Sequence, residues 1–222
     1  MSPLQYLWLQ YGGHLRQPFS MKLTYGNILA TYFLASESEI RQGIAWYDDA
    51  HMIANRIAGS YELASRTVAG VIAALSPSNK WERNIKDADN FCRVFAAGGD
   101  PLELKVSTYG LNRTKALAIL NGEDIDTILN GRKTVAFYHC IAGDDGHVCI
   151  DGHAYNIWMG ERIPLDSVPS IGKGLYASIV SDYIQATTLI NRVCQAEYTA
   201  PQVQAITWMA WRRMIGENND KK

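Results

Sequence analysis

The sequence has no long hydrophobic run, no surplus of either charge and no closely spaced pair of cysteines. Its longest uninterrupted apolar stretch, residues 68–75, has eight residues, whereas a helix needs about 20 to cross a bilayer. Residues 1–13 contain no cationic segment followed by an apolar one, so no secretory signal is predicted. These absences argue against a membrane protein, and we expect a cytoplasmic location.

The charge balance excludes a protein that coats nucleic acid through bulk positive charge. The 222 residues carry 21 Lys and Arg against 22 Asp and Glu, a net charge of −1. Residues 105–134 depart from this balance, with five basic against three acidic side chains, a local charge of +2. Any contact with DNA is therefore expected on a small surface.

The four cysteines, Cys92, Cys140, Cys149 and Cys194, include no C-x-x-C pair. A zinc ribbon or an iron–sulfur framework is therefore not indicated, and we expect reduced, mostly buried thiols. No metal and no cofactor is predicted.

Apolar residues recur every three or four positions along most of the chain, which predicts an all-α fold of about ten helices. Residues 68–75 are apolar on nearly every side, so they predict a buried helix that stops at Ser76-Pro77. Only residues 147–150 resemble a strand, and residues 217–222 form a polar tail. Further helices are predicted at 80–97, 113–120, 124–129, 133–142, 152–159, 174–191 and 201–215.

A glycine-containing turn at residues 129–134 lies between two of the predicted short helices. A turn that opens onto a helix start directs backbone N–H groups outward, and together with the helix dipole they can bind a phosphate. Lys133 stands at that helix start, and the apolar residues after it predict partial desolvation, which favours a neutral, nucleophilic amine. Asp151 follows 18 residues later, at a predicted N-cap.

The motifs Gly131-Arg132-Lys133-Thr134 and Ile150-Asp151-Gly152-His153 resemble the helix-hairpin-helix DNA glycosylase superfamily, in particular its endonuclease III-like branch. That superfamily carries L-P-G-V-G-x-K-T followed by V-D-x-H. Gly110-Leu111 with Lys115-Ala116 resembles its G-L-x-x-x-K-A segment, and residues 71–76 resemble its early buried helix. The resemblance covers residues 68–158. The hairpin proline, the first hairpin glycine and the C-terminal cysteine cluster of some members are absent.

The resemblance implies a two-lobed helical bundle over residues 1–216, with the helix-hairpin-helix region at about 109–158, that acts on duplex DNA. Lys133 would attack the sugar C1′ and form a Schiff base, and Asp151 would activate the nucleophile and stabilise the cationic sugar. The target base would be flipped into a pocket between the lobes. The candidate DNA-binding residues are Asn130, Gly131, Arg132, Thr134, Lys115, Ser78, Asn79, Lys80 and Lys173. The residues expected to line or orient the base pocket are His153, Trp81 and Tyr138.

Simpler interpretations and other functions remain open. Lys133 can be a solvated lysine, Asp151 an N-cap alone, and Trp81 and Tyr138 core residues. Phage proteins of this fold have been linked to hypermodification of thymine derivatives, so one alternative is a transferase acting in a bacterial or phage-infected cell. The other is a helix-hairpin-helix module that binds DNA without catalysis. Neither the target base nor any protein partner is predicted.

Overall fold

The computed structural model describes residues 25–217, which contain ten α-helices, one short 3-10 helix and no strand. The all-α prediction is confirmed. No helix within this range is long and apolar enough to span a bilayer. Residues 1–13, inspected above for a signal, and residues 218–222 of the predicted tail lie outside the described range. The helices are α1 Gly26–Phe33, α2 Glu37–Tyr61, α3 Ser65–Leu75, α4 Trp81–Ala96, α5 Gly110–Leu120, α6 Ile125–Leu129, α7 Arg132–Ile141, α8 Gly152–Met159, α9 Lys173–Cys194 and α10 Ala200–Met214, with the 3-10 helix at Pro101–Glu103.

The predicted helices from residue 80 onward all form, and their ends move by at most three residues. The strand-like stretch at residues 147–150 is irregular instead, so that prediction is wrong. A single short strand is not stable without a paired neighbour, and the rest of the described chain supplies none. The Ile150 N–H donates to the Tyr176 hydroxyl at 3.1 Å rather than to another strand.

The chain divides into two compact units. In the described range, the first unit comprises residues 25–45 and 150–217, and the second comprises residues 46–149. In the first unit α1, α8, α9 and α10 pack on one another, and in the second α3 contacts α4, α5, α6 and α7.

Helix α3 forms the centre of the second unit because every residue from Val68 to Leu75 is buried. Gly70 lets its neighbours approach closely, since a Cβ there would lie 3.0 Å from the Ile125 side chain and 3.1 Å from that of Ile119. The helix ends at Leu75, as the following Ser76-Pro77 predicts.

Two features position α10 within the first unit. Its start carries a capping box in which Thr199 and Gln202 exchange side-chain and backbone hydrogen bonds. Gly43 meets its middle, where an added Cβ would lie 2.6 Å from backbone atoms of Ile206. Only glycine permits this approach.

Three of the four cysteines, Cys92, Cys140 and Cys149, are buried, and Cys194 is exposed. The expectation of mostly buried free thiols is confirmed. Burial raises the pKa of the Cys92 and Cys140 thiols to about 12, which keeps both protonated and unreactive near neutral pH.

Candidate functional site

The turn between α6 and α7 consists of two residues, Asn130 and Gly131. Asn130 adopts the left-handed conformation with φ 47°, and Gly131 is the N-cap of α7 with an ordinary φ of −89°. Asparagine tolerates the left-handed region better than most residues. It therefore serves at this bend, where glycine is the more usual residue.

Lys115 braces this turn from α5. Its Nζ donates to the Leu129 carbonyl at 3.0 Å and to Asn130 Oδ1 at 3.2 Å. A lysine near the last carbonyls of a helix satisfies groups that have no partner within the helix. Lys115, predicted to contact DNA, thus has a role in shaping the turn.

Lys133 is the second residue of α7, and its side chain is exposed. The predicted partial desolvation is therefore wrong. Ala136, which follows it in α7, is buried, but Lys133 lies on the solvent-exposed side of the helix. Arg132 is also exposed, and Gly131 and Thr134 are half-buried. The N-cap Gly131 has no side chain with which to cap the N-terminus of α7.

The chain returns to α7 shortly before Asp151. The Cys149 thiol donates to the Lys133 carbonyl oxygen at 3.6 Å, within the second unit. Asp151 follows Cys149 by two residues and belongs to the first unit. The chain therefore contacts the backbone of Lys133 shortly before the second motif begins.

The loop before α4 is built around a buried carboxylate that the sequence analysis did not single out. Asp87 accepts hydrogen bonds from Arg83 at 3.1 Å, from Asn79 at 3.2 Å and from the Ser107 N–H at 2.9 Å. Asn79, predicted to contact DNA, is half-buried and helps to hold this loop in place. Ser78, with φ 60°, and the α4 N-cap Lys80 are exposed.

The two aromatic pocket candidates of the second unit pack within that unit. Trp81 is half-buried, with its ring 5.0 Å from that of Trp46 and 6.4 Å from that of Phe137. Tyr138 is buried in the core, and its hydroxyl accepts a hydrogen bond from Arg66 Nε at 3.1 Å. Core packing accounts for Tyr138, so its ring has no free face for a base.

Asp151 is the N-cap of α8, as predicted, and both of its carboxylate oxygens have a donor. Oδ1 accepts the Ala154 N–H at 2.8 Å, and Oδ2 accepts the Trp208 indole N–H at 3.2 Å. Tyr183 is completely buried in the same unit, and its pKa is raised mainly by burial, with a further contribution from the Asp151 charge. Asp151 itself is half-buried.

His153 is buried, and it is contacted by α10 and by Glu217, three residues beyond the end of α10. Its Nε2 lies 3.5 Å from the Glu217 carboxylate, and its ring meets the Trp208 ring edge-on at 6.0 Å. Glu217, the first residue of the predicted polar tail, also lies 3.5 Å from Arg212 Nε. Lys173, the remaining candidate of the first unit, is exposed at the first position of α9.

A second polar cluster lies further along α7 and was missed from the sequence. The two nitrogens of His139 contact Asp144 at 2.7 Å and Asp126 at 2.8 Å, and its ring stacks on that of His147 at 3.9 Å. Arg66 donates to Asp144 at 2.7 Å. Hydrogen bonds first from Arg66 and then from His139 lower the pKa of Asp144 to about 2. No spacing rule links these residues, so the sequence carries no signal for them.

Together these features define an all-α protein with a two-residue turn followed by the exposed Arg132 and Lys133 in one unit, and a half-buried N-cap carboxylate, Asp151, in the other. The chain belongs to the family of unknown function DUF7178, whose model matches residues 14–215. No curated protein and no solved structure matches the chain. In residues 25–217, no group of three or more His, Cys, Asp or Glu side chains is arranged to hold a metal ion.

Proposed function

We propose that this protein acts on a base in DNA, as an enzyme of the helix-hairpin-helix glycosylase type that cleaves the N-glycosidic bond. The observation that carries the proposal is the pair of helices α6 and α7, joined by the two-residue turn, with Lys133 exposed on the first turn of α7. A cationic side chain and a helix N-terminus in one place suit a phosphodiester backbone.

DNA is held by its backbone at this turn. Arg132 and Lys133 lie at the positive end of the α7 dipole, and Lys115 fixes the turn through the Leu129 carbonyl. Residues 105–134 carry a local charge of +2 in a chain whose net charge is −1. The affinity for DNA therefore falls as the salt concentration rises, and it is modest for DNA that lacks the target base.

In the reaction, the Lys133 ammonium first gives a proton to water, and the free amine forms a bond to C1′ while the bond from C1′ to the base breaks. The bonding electron pair leaves with the base, which takes a proton from water. The attached amine then loses a proton to the hydroxide so formed, and the C1′–O4′ bond opens to give the Schiff base while O4′ takes a proton from solvent. Asp151 stabilises the positive charge that develops on the sugar through its own negative charge.

A non-catalytic DNA-binding module is the second candidate, and one observation favours it. Both oxygens of Asp151 already accept hydrogen bonds, one of them in an N-cap, so the carboxylate has a sufficient structural role. In this case the α6–α7 turn binds DNA, and neither Lys133 nor Asp151 takes part in chemistry.

The test uses the full chain with duplexes that carry uracil, oxidised, alkylated or 5-hydroxymethyl bases, analysed by mass spectrometry. Release of a free base, together with a borohydride-trapped adduct that Lys133→Ala abolishes, supports the glycosylase. Lys86→Ala, which removes an exposed lysine of α4, is the matched control and leaves the adduct intact. A base that gains mass and stays in the strand contradicts glycosidic bond cleavage and supports the transferase. Binding without any product from any substrate supports the non-catalytic module, and an undiminished adduct in Lys133→Ala rejects this lysine as nucleophile.

A further inference from the structure

We propose that Trp208 is a positioning residue that sets the orientation of the Asp151 carboxylate. The inference rests on the proposed function, in which Asp151 faces the reacting sugar. Trp208 lies on α10, 57 residues beyond Asp151 and outside the region that resembles the glycosylases.

The N-cap bond by itself holds only one carboxylate oxygen of Asp151. Ala154 N–H fixes Oδ1, and the Trp208 indole N–H at 3.2 Å fixes Oδ2. With both oxygens held, rotation about the Cβ–Cγ bond is restricted. Each carboxylate oxygen has two lone-pair sites, so one site on each oxygen remains to face a developing positive charge.

The Trp208 ring is itself held in place from two sides. Arg212 lies four residues further along α10, on the same helix face, and its guanidinium stacks over the indole at 4.4 Å from the ring centre. His153, two residues after Asp151, meets the indole edge-on. The indole N–H therefore points to Asp151 from a ring that Arg212 contacts on one face and His153 contacts in an edge-on arrangement.

The end of α10 completes this arrangement through Glu217. Gly216 has φ 78°, its N–H donates to the Arg213 carbonyl, and the Glu217 N–H donates to the Arg212 carbonyl. This is the Schellman pattern that ends many helices and turns the chain back. The turn places the Glu217 carboxylate 3.5 Å from both Arg212 and His153, which links the two residues that hold the indole.

The first unit also contains a control of the same chemistry. The Trp158 indole N–H donates to the Asp182 carboxylate at 2.7 Å, a shorter bond than that between Trp208 and Asp151. Neither residue has a place in the proposed reaction. Phenylalanine at either tryptophan removes the N–H donor and keeps an aromatic ring.

The first experiment compares single-turnover base release by Trp208→Phe and Trp158→Phe, with thermal unfolding of both. We expect Trp208→Phe to lower the rate constant about tenfold at unchanged KM, because a small misplacement of a reacting group costs up to about 100-fold. Trp158→Phe keeps the wild-type rate constant whatever it does to the melting temperature. Equal rate constants in Trp208→Phe and wild type, or equal losses in both variants, overturn the inference.

The second experiment needs no activity, so it separates this inference from the proposed function. Trp208→Phe identifies the Trp208 indole signal in a ¹H–¹⁵N spectrum of the full chain by its disappearance. We expect that signal to move in Asp151→Asn, while the Trp158 signal stays. A Trp208 signal unaffected by Asp151→Asn refutes the positioning contact. If the signal moves but no duplex is processed, the proposed function fails and the contact stands as a purely structural one.

Discussion

The α6–α7 turn that carries Lys133 and the α8 start that carries Asp151 differ in how the candidate side chain is held. Lys133 is exposed, and the contacts around it, from Lys115 and Cys149, reach backbone carbonyls. Asp151 has a donor on each oxygen, and Arg212 stacks over the ring of one of these donors, Trp208. From this difference we expect a substitution at Lys133 to lower activity with little effect on stability, and a substitution at Asp151 to lower both.

The largest effect on stability is expected from Asp151→Ala. The substitution removes an N-cap, worth about 1 kcal/mol, and leaves the Trp208 N–H without its acceptor, which costs about 1–3 kcal/mol. We expect the free energy of unfolding in urea to fall by about 3 kcal/mol. Lys133→Ala should change it by less than about 0.5 kcal/mol, as is usual for an exposed side chain.

Asp151→Asn refines this comparison because the amide oxygen can keep the bond from Ala154. It should recover about 1 kcal/mol of the loss seen in Asp151→Ala while remaining without the charge. If Lys133→Ala and Asp151→Ala destabilise the protein equally, the contrast between the two regions does not hold.

A smaller effect is expected from Gly216→Ala at the end of α10. The residue has φ 78°, which costs a side chain about 1 kcal/mol, so thermal unfolding should show a loss of about that size. Gly174→Ala is the matched control because Gly174 lies in α9 at an ordinary φ with open space around it. Alanine there should stabilise the helix by about 0.5 kcal/mol. A neutral Gly216→Ala would mean that Glu217 reaches His153 without this turn.

The smallest expected effect is a loss of stability at acid pH. It concerns a residue of the second unit, which also carries Lys133. The pKa of Asp144 is lowered to about 2 from a usual value near 3.8, so its ionised form stabilises the fold above about pH 4. That contribution fades as the pH falls through about 2. Because Asp144 is partly exposed, we expect Asp144→Asn to cost less than about 1 kcal/mol at pH 6.

Acid titration of unfolding checks this expectation. The difference between wild type and Asp144→Asn should shrink between pH 4 and pH 2. Asp145→Asn, which replaces an exposed neighbouring carboxylate, should show no such change. A constant difference over the same interval would assign the effect of Asp144→Asn to something other than its charge.

The helical architecture could be predicted because burial on one face leaves a period in the sequence. Helix α8 and its cap at Asp151 were predicted at the correct residues, since capping is a local interaction. Helix α1 was not predicted, because its N-cap, Tyr25, makes no side-chain capping bond that would mark its start. The start of α2 did carry a signal, as Ser36 and Glu39 form a reciprocal capping pair.

The surroundings of the candidate residues could not be predicted, because they depend on contacts between distant parts of the chain. Trp208 and Asp151 are 57 residues apart, and only the i, i+4 spacing of Trp208 and Arg212 was visible beforehand. The desolvation expected at Lys133 failed for a related reason. Apolar residues that follow a lysine in a helix do not all share its face.

The burial of every residue of α3 from Val68 to Leu75 has a consequence for how the second unit opens. The amide protons of residues 72–75 lie in a helix buried on every side, so they exchange with solvent only when the surrounding helices separate. Their exchange rates therefore report the free energy of the most complete opening of that unit. Deuterium uptake along α3 therefore measures the stability of the unit that contains the α6–α7 turn. This measurement does not depend on knowing what the protein binds.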